Sequence, residues 1–119
     1  MSYNDFAEMP VWQKADELIG DVYKLTDLLP KREDYALCSQ LRDAAISIAG
    51  NIAEGFGRGH TKDKINFYLF SRGSYFEVRS HLYSGKTVGY FSNEQINPID
   101  IKCMKVVEEL NRIIKGLGS

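Results

Sequence analysis

Residues 11–30, VWQKADELIGDVYKLTDLLP, decide the fold class. Val11, Ala15, Leu18, Val22, Leu25 and Leu29 recur there at spacings of four and three. A period of 3.6 residues gathers positions so spaced onto one side, so the stretch reads as an amphipathic helix with an apolar seam. Trp12, Ile19 and Tyr23 widen the seam. Pro30 lacks an amide hydrogen and disfavours helical geometry at Leu29, which predicts the end of the helix there.

The same period returns three times downstream. A second helix is predicted from about Arg32 to Phe56, with Cys38, Leu41, Ala45, Ile48, Ile52 and Phe56 facing inward and Gly55, Gly57 and Gly59 ending it. A third opens at Thr61 as N-cap, with Asp63 in its first turn, and runs towards Gly89. Its predicted seam is Ile65, Leu69, Gly73, Phe76, Ser80 and Tyr83. Asn97 and Pro98 read as the cap and first residue of a fourth helix, whose seam is Cys103, Val107, Leu110, Ile114 and Leu117. Period-two alternation is absent over any useful length. Long amphipathic helices on short connections favour antiparallel neighbours, so the expected fold is all-α, an antiparallel up-down-up-down four-helix bundle forming a single domain over residues 1–119.

A chain of 119 residues can bury a core without disulfides or metals. The net charge of −1 removes any global electrostatic drive towards nucleic acid or an anionic membrane. The charge is unevenly placed, with two Lys/Arg against six Asp/Glu in residues 1–30 and five against two in residues 61–90. Such opposite segments are expected to attract each other within or between subunits. Cys38 and Cys103 belong to no CxxC pair and read as small buried thiols of a reducing compartment. The start, MSYNDFAEMP, is unlike a signal peptide, and no apolar run approaches bilayer-spanning length. A cytoplasmic protein without membrane partners is expected.

The stretch SIAGNIAEGFGRG, residues 47–59, combines small residues with Asn51, Glu54 and Arg58. It is not a phosphate loop, because Gly50 and Gly55 are followed by Phe56 and Gly57 rather than Lys and Ser or Thr. Close helix contact explains it better. A mid-helix glycine costs about 1 kcal/mol relative to alanine, and tight packing on more than one side would offset that cost. Gln40, Ser47, Asn51, Glu54 and Arg58 fall along one side, and Ser74, Glu77, His81 and Ser84 form a matching row in the third helix, with Arg72 and Arg79 alongside. Antiparallel packing is expected to bring Asn51, Glu54 and Arg58 towards Arg72, Ser74 and Glu77 as a partly buried polar network at an interface.

Through VWQKADELIGDVYKL, ALCSQLRDAAISIAGNIAEGFGR and NFYLFSRGSYFEVRSHLY the chain resembles the bacterial 23S ribosomal-RNA intervening-sequence proteins over nearly its whole length. The most specific pieces are SI-x-x-NIAEG-x-GR and the later GS-x-x-E, which place Asn51, Glu54, Gly55, Arg58, Gly73, Ser74 and Glu77 on family positions. The resemblance implies a four-helix protomer in a ring-like homopentamer, with no enzymatic activity and no cofactor. It also implies kinship with the accessory variability determinant protein of diversity-generating retroelements, which binds nucleic acid and a reverse transcriptase. Asp43 and Ala49 depart from the family pattern, where a second arginine and a proline are frequent.

Three functions follow as expectations. The first is a non-catalytic homo-oligomeric scaffold or interaction module with a protein partner, using exposed aromatics at Tyr68, Tyr75 and Tyr90. The alternative is an accessory protein that binds RNA or DNA through Arg58, Lys62, Lys64, Arg72, Arg79 and Lys86, with tyrosines stacking on bases. Catalysis is not expected: His60 and His81 lack metal-ligand spacing, and Glu54 and Glu77 are followed at the third position by Gly57 and Ser80 instead of the histidine a di-iron bundle requires.

Overall fold

The computed structural model describes residues 2–118. Four helices, α1 (Pro10–Thr26), α2 (Leu37–Gly57), α3 (Thr61–Thr87) and α4 (Asn93–Gly118), carry the fold, with single 3₁₀ turns at Phe6–Glu8 and Lys31–Glu33. Each helix packs on its chain neighbour and α1 closes the square on α4, while the diagonal pairs do not meet. Cross-helix bonds fix the directions. Ser71 donates to the Ile48 carbonyl and Ser74 to Ser47. Arg72 reaches Asn111 and Arg79 reaches Asp100. Lys14 pairs with Glu109, and Lys102 with Glu17 and Asp21. Higher numbers on one helix meet lower numbers on the next, so the bundle is antiparallel, up-down-up-down, with a 44 Å long axis. Among the described residues no helix is long and apolar enough to cross a membrane.

Three of the four helices bury the expected seam. Val11, Ala15, Leu18, Val22 and Leu25 are buried on α1, Cys38, Leu41, Ala45, Ile48 and Ile52 on α2, and Cys103, Val107 and Leu110 on α4. Both cysteines are buried and free. Leu29, Phe56, Ile114 and Leu117 flank this core half-buried.

The helix ends correct the sequence reading. α1 stops at Thr26, short of Pro30; Thr26 Oγ1 bonds back to the Val22 carbonyl at 2.8 Å and accepts Arg42 Nε at 2.8 Å. α2 starts at Leu37 rather than Arg32, because Lys31–Glu33 forms its own turn and the Glu33 carboxylate meets the Leu37 amide. Thr61 is the first residue of α3 and caps nothing; His60 stands at the cap. α4 begins at Asn93 rather than Pro98, and its cap is Ser92 rather than Asn97. Ser92 Oγ accepts the Gln95 amide and Gln95 Oε1 accepts the Ser92 amide, a reciprocal capping box, and Pro98 lies inside the helix. The C-terminus of α3 is closed by Gly89 at φ +86°, with Tyr90 N–H on Gly85 and Gly89 N–H on Lys86.

The seam of α3 lies elsewhere. Its buried residues are Tyr68, Ser71, Tyr75, Val78, Leu82 and Gly85. Gly73, Phe76, Ser80 and Tyr83 are exposed instead, and Ile65 and Leu69 half-buried. Apolar residues occur all around this helix, so periodicity alone selects no face. The hydroxyl residues can go inside because two of them find partners, Ser71 on Ile48 at 2.8 Å and Tyr75 on the Met104 sulfur at 2.7 Å. Tyr68 and Tyr75 are therefore core, not exposed stacking platforms, and Tyr90 is half-buried with its hydroxyl on Glu33.

Candidate functional site

The small residues of α2 divide into two groups. Ala44, Ala45 and Ala49 are buried against the bundle. Gly55 is required by Tyr68: a Cβ there would stand 2.6 Å from Tyr68 Cε1. Gly50 and Gly57 on α2 and Gly73 on α3 meet no such neighbour, since an added Cβ finds nothing within 4 Å. Gly50 and Gly57 floor a shallow groove beside Phe6 and Ala53, and Gly73 stands exposed on α3.

The polar residues predicted to form one network form several. Asn51 donates to the Ser47 carbonyl and hydroxyl, and Ser74 donates to the same hydroxyl at 3.0 Å, so Asn51 and Ser74 do converge. Glu54 and Arg58 pair with each other at 3.2 Å on the surface, and the Arg58 guanidinium lies 4.5 Å over the Phe67 ring. Among the described residues Glu77 meets only His81, one turn away at 3.4 Å. Arg72 turns the other way, to Asn111 on α4. The partly buried seam is thus Ser47–Asn51–Ser74, flanked by an exposed ion pair.

The candidate nucleic-acid cations are likewise dispersed. Lys64 Nζ caps the end of α2 by donating to the Gly55 and Phe56 carbonyls at 3.2 and 2.8 Å, complementing the negative end of the helix dipole. Arg79 is held by Asp100 at 2.6 Å and by Tyr83, and these bonds push its pKa above the usual guanidinium value. Lys62 and Lys86 stay exposed near opposite ends of α3.

Sequence reasoning missed an apolar ridge on the outside of α3 and α4. Phe76 (50% exposed), Tyr83 (45%), Ile101 (57%) and Met104 (42%) all face outward there, while Phe70 (57%) is exposed on the other flank of α3, edge-on to the Phe67 ring that Arg58 at the end of α2 covers. The signal was present in the excess of apolar residues on α3, but it was spent on the wrong core face. Burial pushes the Cys103 thiol up to about 12, which makes it a poor nucleophile. Among the described residues no three His, Cys, Asp or Glu side chains gather in a way that could hold a metal ion.

A family model described as 23S rRNA-intervening sequence protein matches residues 7–112. A crystal structure at 1.70 Å of a protein with unknown function from the S23 ribosomal protein family, from Bacteroides thetaiotaomicron VPI-5482, superposes with a TM-score of 0.81. The two share 23% identity over 88% of this chain and 98% of the other, a likeness of fold. No curated protein matches.

Proposed function

The chain belongs to the 23S rRNA-intervening sequence protein family, and on that premise we propose that it is a non-catalytic, homo-oligomeric scaffold. The observation that carries the reading is the exposed ridge of Phe76, Tyr83, Ile101 and Met104 along α3 and α4. Contiguous apolar surface of this kind marks interaction sites on soluble proteins. The outer glycines supply a complementary feature, a lean groove at Gly50 and Gly57 that a neighbouring chain can approach closely. A ridge on one side and a groove on another suit a head-to-tail contact, which closes into a ring when the rotation allows. Five subunits is the number the resemblance implies.

Sedimentation equilibrium at micromolar concentration tests the proposal. The protein is expected above its protomer mass, and the double substitution Phe76→Glu, Ile101→Lys is expected to reduce it to protomers with helical content unchanged. A wild-type protein that sediments as a 13.5 kDa species overturns the reading.

The alternative, an accessory protein that binds RNA or DNA, draws on Lys62 and Lys86. They are separated by about 36 Å along α3 at 1.5 Å per residue, while Lys64 and Arg79 are engaged inside the protomer. Repetition in an oligomer could still make such sparse charge effective. Titration with single-stranded and structured RNA at two salt concentrations separates the readings, since phosphate contacts weaken steeply with salt.

A further inference from the structure

At the end of the bundle that holds the α2–α3 connection, the helices leave a cavity of about 700 Å³. Its apolar lining includes Val11, Phe56, Tyr68, Ile113 and Leu117. The volume lies in the range of small-molecule sites and far exceeds the residual holes of packed interiors.

The polar side chains on this cavity, Glu109 apart, can all donate. Tyr68 is 3% exposed. Among the described residues its hydroxyl has no hydrogen-bond partner, yet no buried side-chain polar atom is sealed away unpartnered. That oxygen therefore keeps its access through the cavity its ring lines. Gly55 sets this up, because only a residue without a side chain lets the Tyr68 ring lie so close to α2. Lys64, one turn before Tyr68 on the same side of α3, gives two of its three donors to the Gly55 and Phe56 carbonyls and has one left. Arg112 lines the cavity from α4 and makes no ion pair among the described residues. Glu109 is the opposing charge, and its carboxylate is taken by Lys14.

A hydrocarbon-lined hollow with a phenol, an ammonium and a guanidinium, and its one acid already neutralised, is complementary to an apolar body carrying a single negative group. We propose that this cavity binds a small amphipathic carboxylate, with the carboxylate received by Arg112, Lys64 and the Tyr68 hydroxyl, and the apolar body against Val11, Ile113 and Leu117. The site lies within one protomer and does not depend on assembly.

Octanoate tests it, with octanol and octylamine as probes of matched body and different head. Titration of the isotope-labelled protein is expected to give saturable one-to-one shifts at the amides of the cavity residues for octanoate, weaker shifts for octanol and none for octylamine. Tyr68→Phe and Arg112→Gln are each expected to weaken octanoate by about tenfold, as loss of a hydrogen bond to a charged group does, and to leave octanol unchanged. Both substitutions preserve shape or lie on the surface, so a retained thermal unfolding midpoint is expected and is measured alongside. The proposal is overturned if octanoate gives no saturable shift, if octylamine binds as well as octanoate, if both substitutions leave affinity unchanged, or if the shifts fall on Phe70 and Phe76 instead of the cavity.

Discussion

Gly55 and Gly73 sit in the two halves of one sequence pattern and answer to different neighbours. At Gly55 a Cβ collides with the Tyr68 ring, which is itself confined in the core. Gly55→Ala is therefore expected to lose about 1–3 kcal/mol in urea unfolding, the usual cost of overpacking. At Gly73 a Cβ meets open space on a helix. Gly73→Ala is expected to stabilise the isolated protomer by about 0.4–1 kcal/mol through the unfolded chain, while weakening assembly if another backbone packs there. Protomer stability and oligomer mass moving in opposite directions would be the mark of that contact. Cys103 gives the pH dependence. Burial raises its pKa from 9.0 to about 12, so the folded protein keeps a proton that the unfolded chain releases above pH 9. Its contribution is complete below pH 9 and declines as the pH rises towards 12, with a slope of at most about 1.4 kcal/mol per pH unit. Tyr68 and Tyr75, also raised by burial, add to the fall above pH 10. Chemical denaturation across pH 8–10 should show a shallower decline in Cys103→Ala than in wild type, whatever the substitution costs at neutral pH.

Among the elements, the seams of α1, α2 and α4 were legible because an unbroken run of apolar residues at four-three spacing marks one side of each, even though Ile46, Ile101 and Met104 lie off it. α3 was not, since Phe70 and Phe76 outside are as apolar as Val78 and Leu82 inside. What selects the buried side is tertiary: Ser71 finds the Ile48 carbonyl, and Gly85 yields to Phe91, whose ring stands 2.3 Å from the Cβ it would carry. Ile48 lies 23 residues from Ser71, and Phe91 comes back onto Gly85 only through the turn that closes α3, so helical period reports neither. The start of α4 was misread for a different reason. Asn97-Pro98 resembles a helix start, but Ser92-Asn93-Glu94-Gln95 satisfies two backbone amides reciprocally five residues earlier, and that closure prevails. Ser92→Ala is expected to cost about 1 kcal/mol of unfolding free energy, as loss of a side-chain cap does. Asn97→Ala, exposed and inside the helix, is expected to be neutral or slightly stabilising. Equal losses at the two positions in the same urea titration would restore the later start. The polar site was half legible by the same logic. Spacing placed Asn51 and Ser74 on facing sides of α2 and α3, but could not foresee that Arg72 would turn to Asn111.

Across the whole molecule, intramolecular charge accounts for only part of the asymmetry along the chain. The acidic first helix is met by Lys102 of α4 through Glu17 and Asp21, so within the protomer its partner is not the basic third segment. The third segment turns Lys64 and Arg79 inward and its aromatic ridge outward, an arrangement that leaves the protomer complete in its core yet apolar on one flank. If that flank is covered by another copy, association and folding are linked by mass action, because a partner that binds only the folded chain raises its apparent stability. The unfolding midpoint of the wild type is then expected to climb with protein concentration over two decades, by several degrees for a gain of one to a few kcal/mol in a domain of this size, as about 4–8 °C per kcal/mol applies to small domains. Phe76→Glu with Ile101→Lys breaks the apolar ridge and gives up the edge contact of Phe76 with the buried Tyr75 ring, so its midpoint should be independent of concentration and lie at or below the dilute limit of the wild type. A wild-type midpoint that is flat across the same range, together with a mutant that melts at the same temperature, would mean the ridge is not joined to another copy, and the scaffold would have to be sought in a different partner.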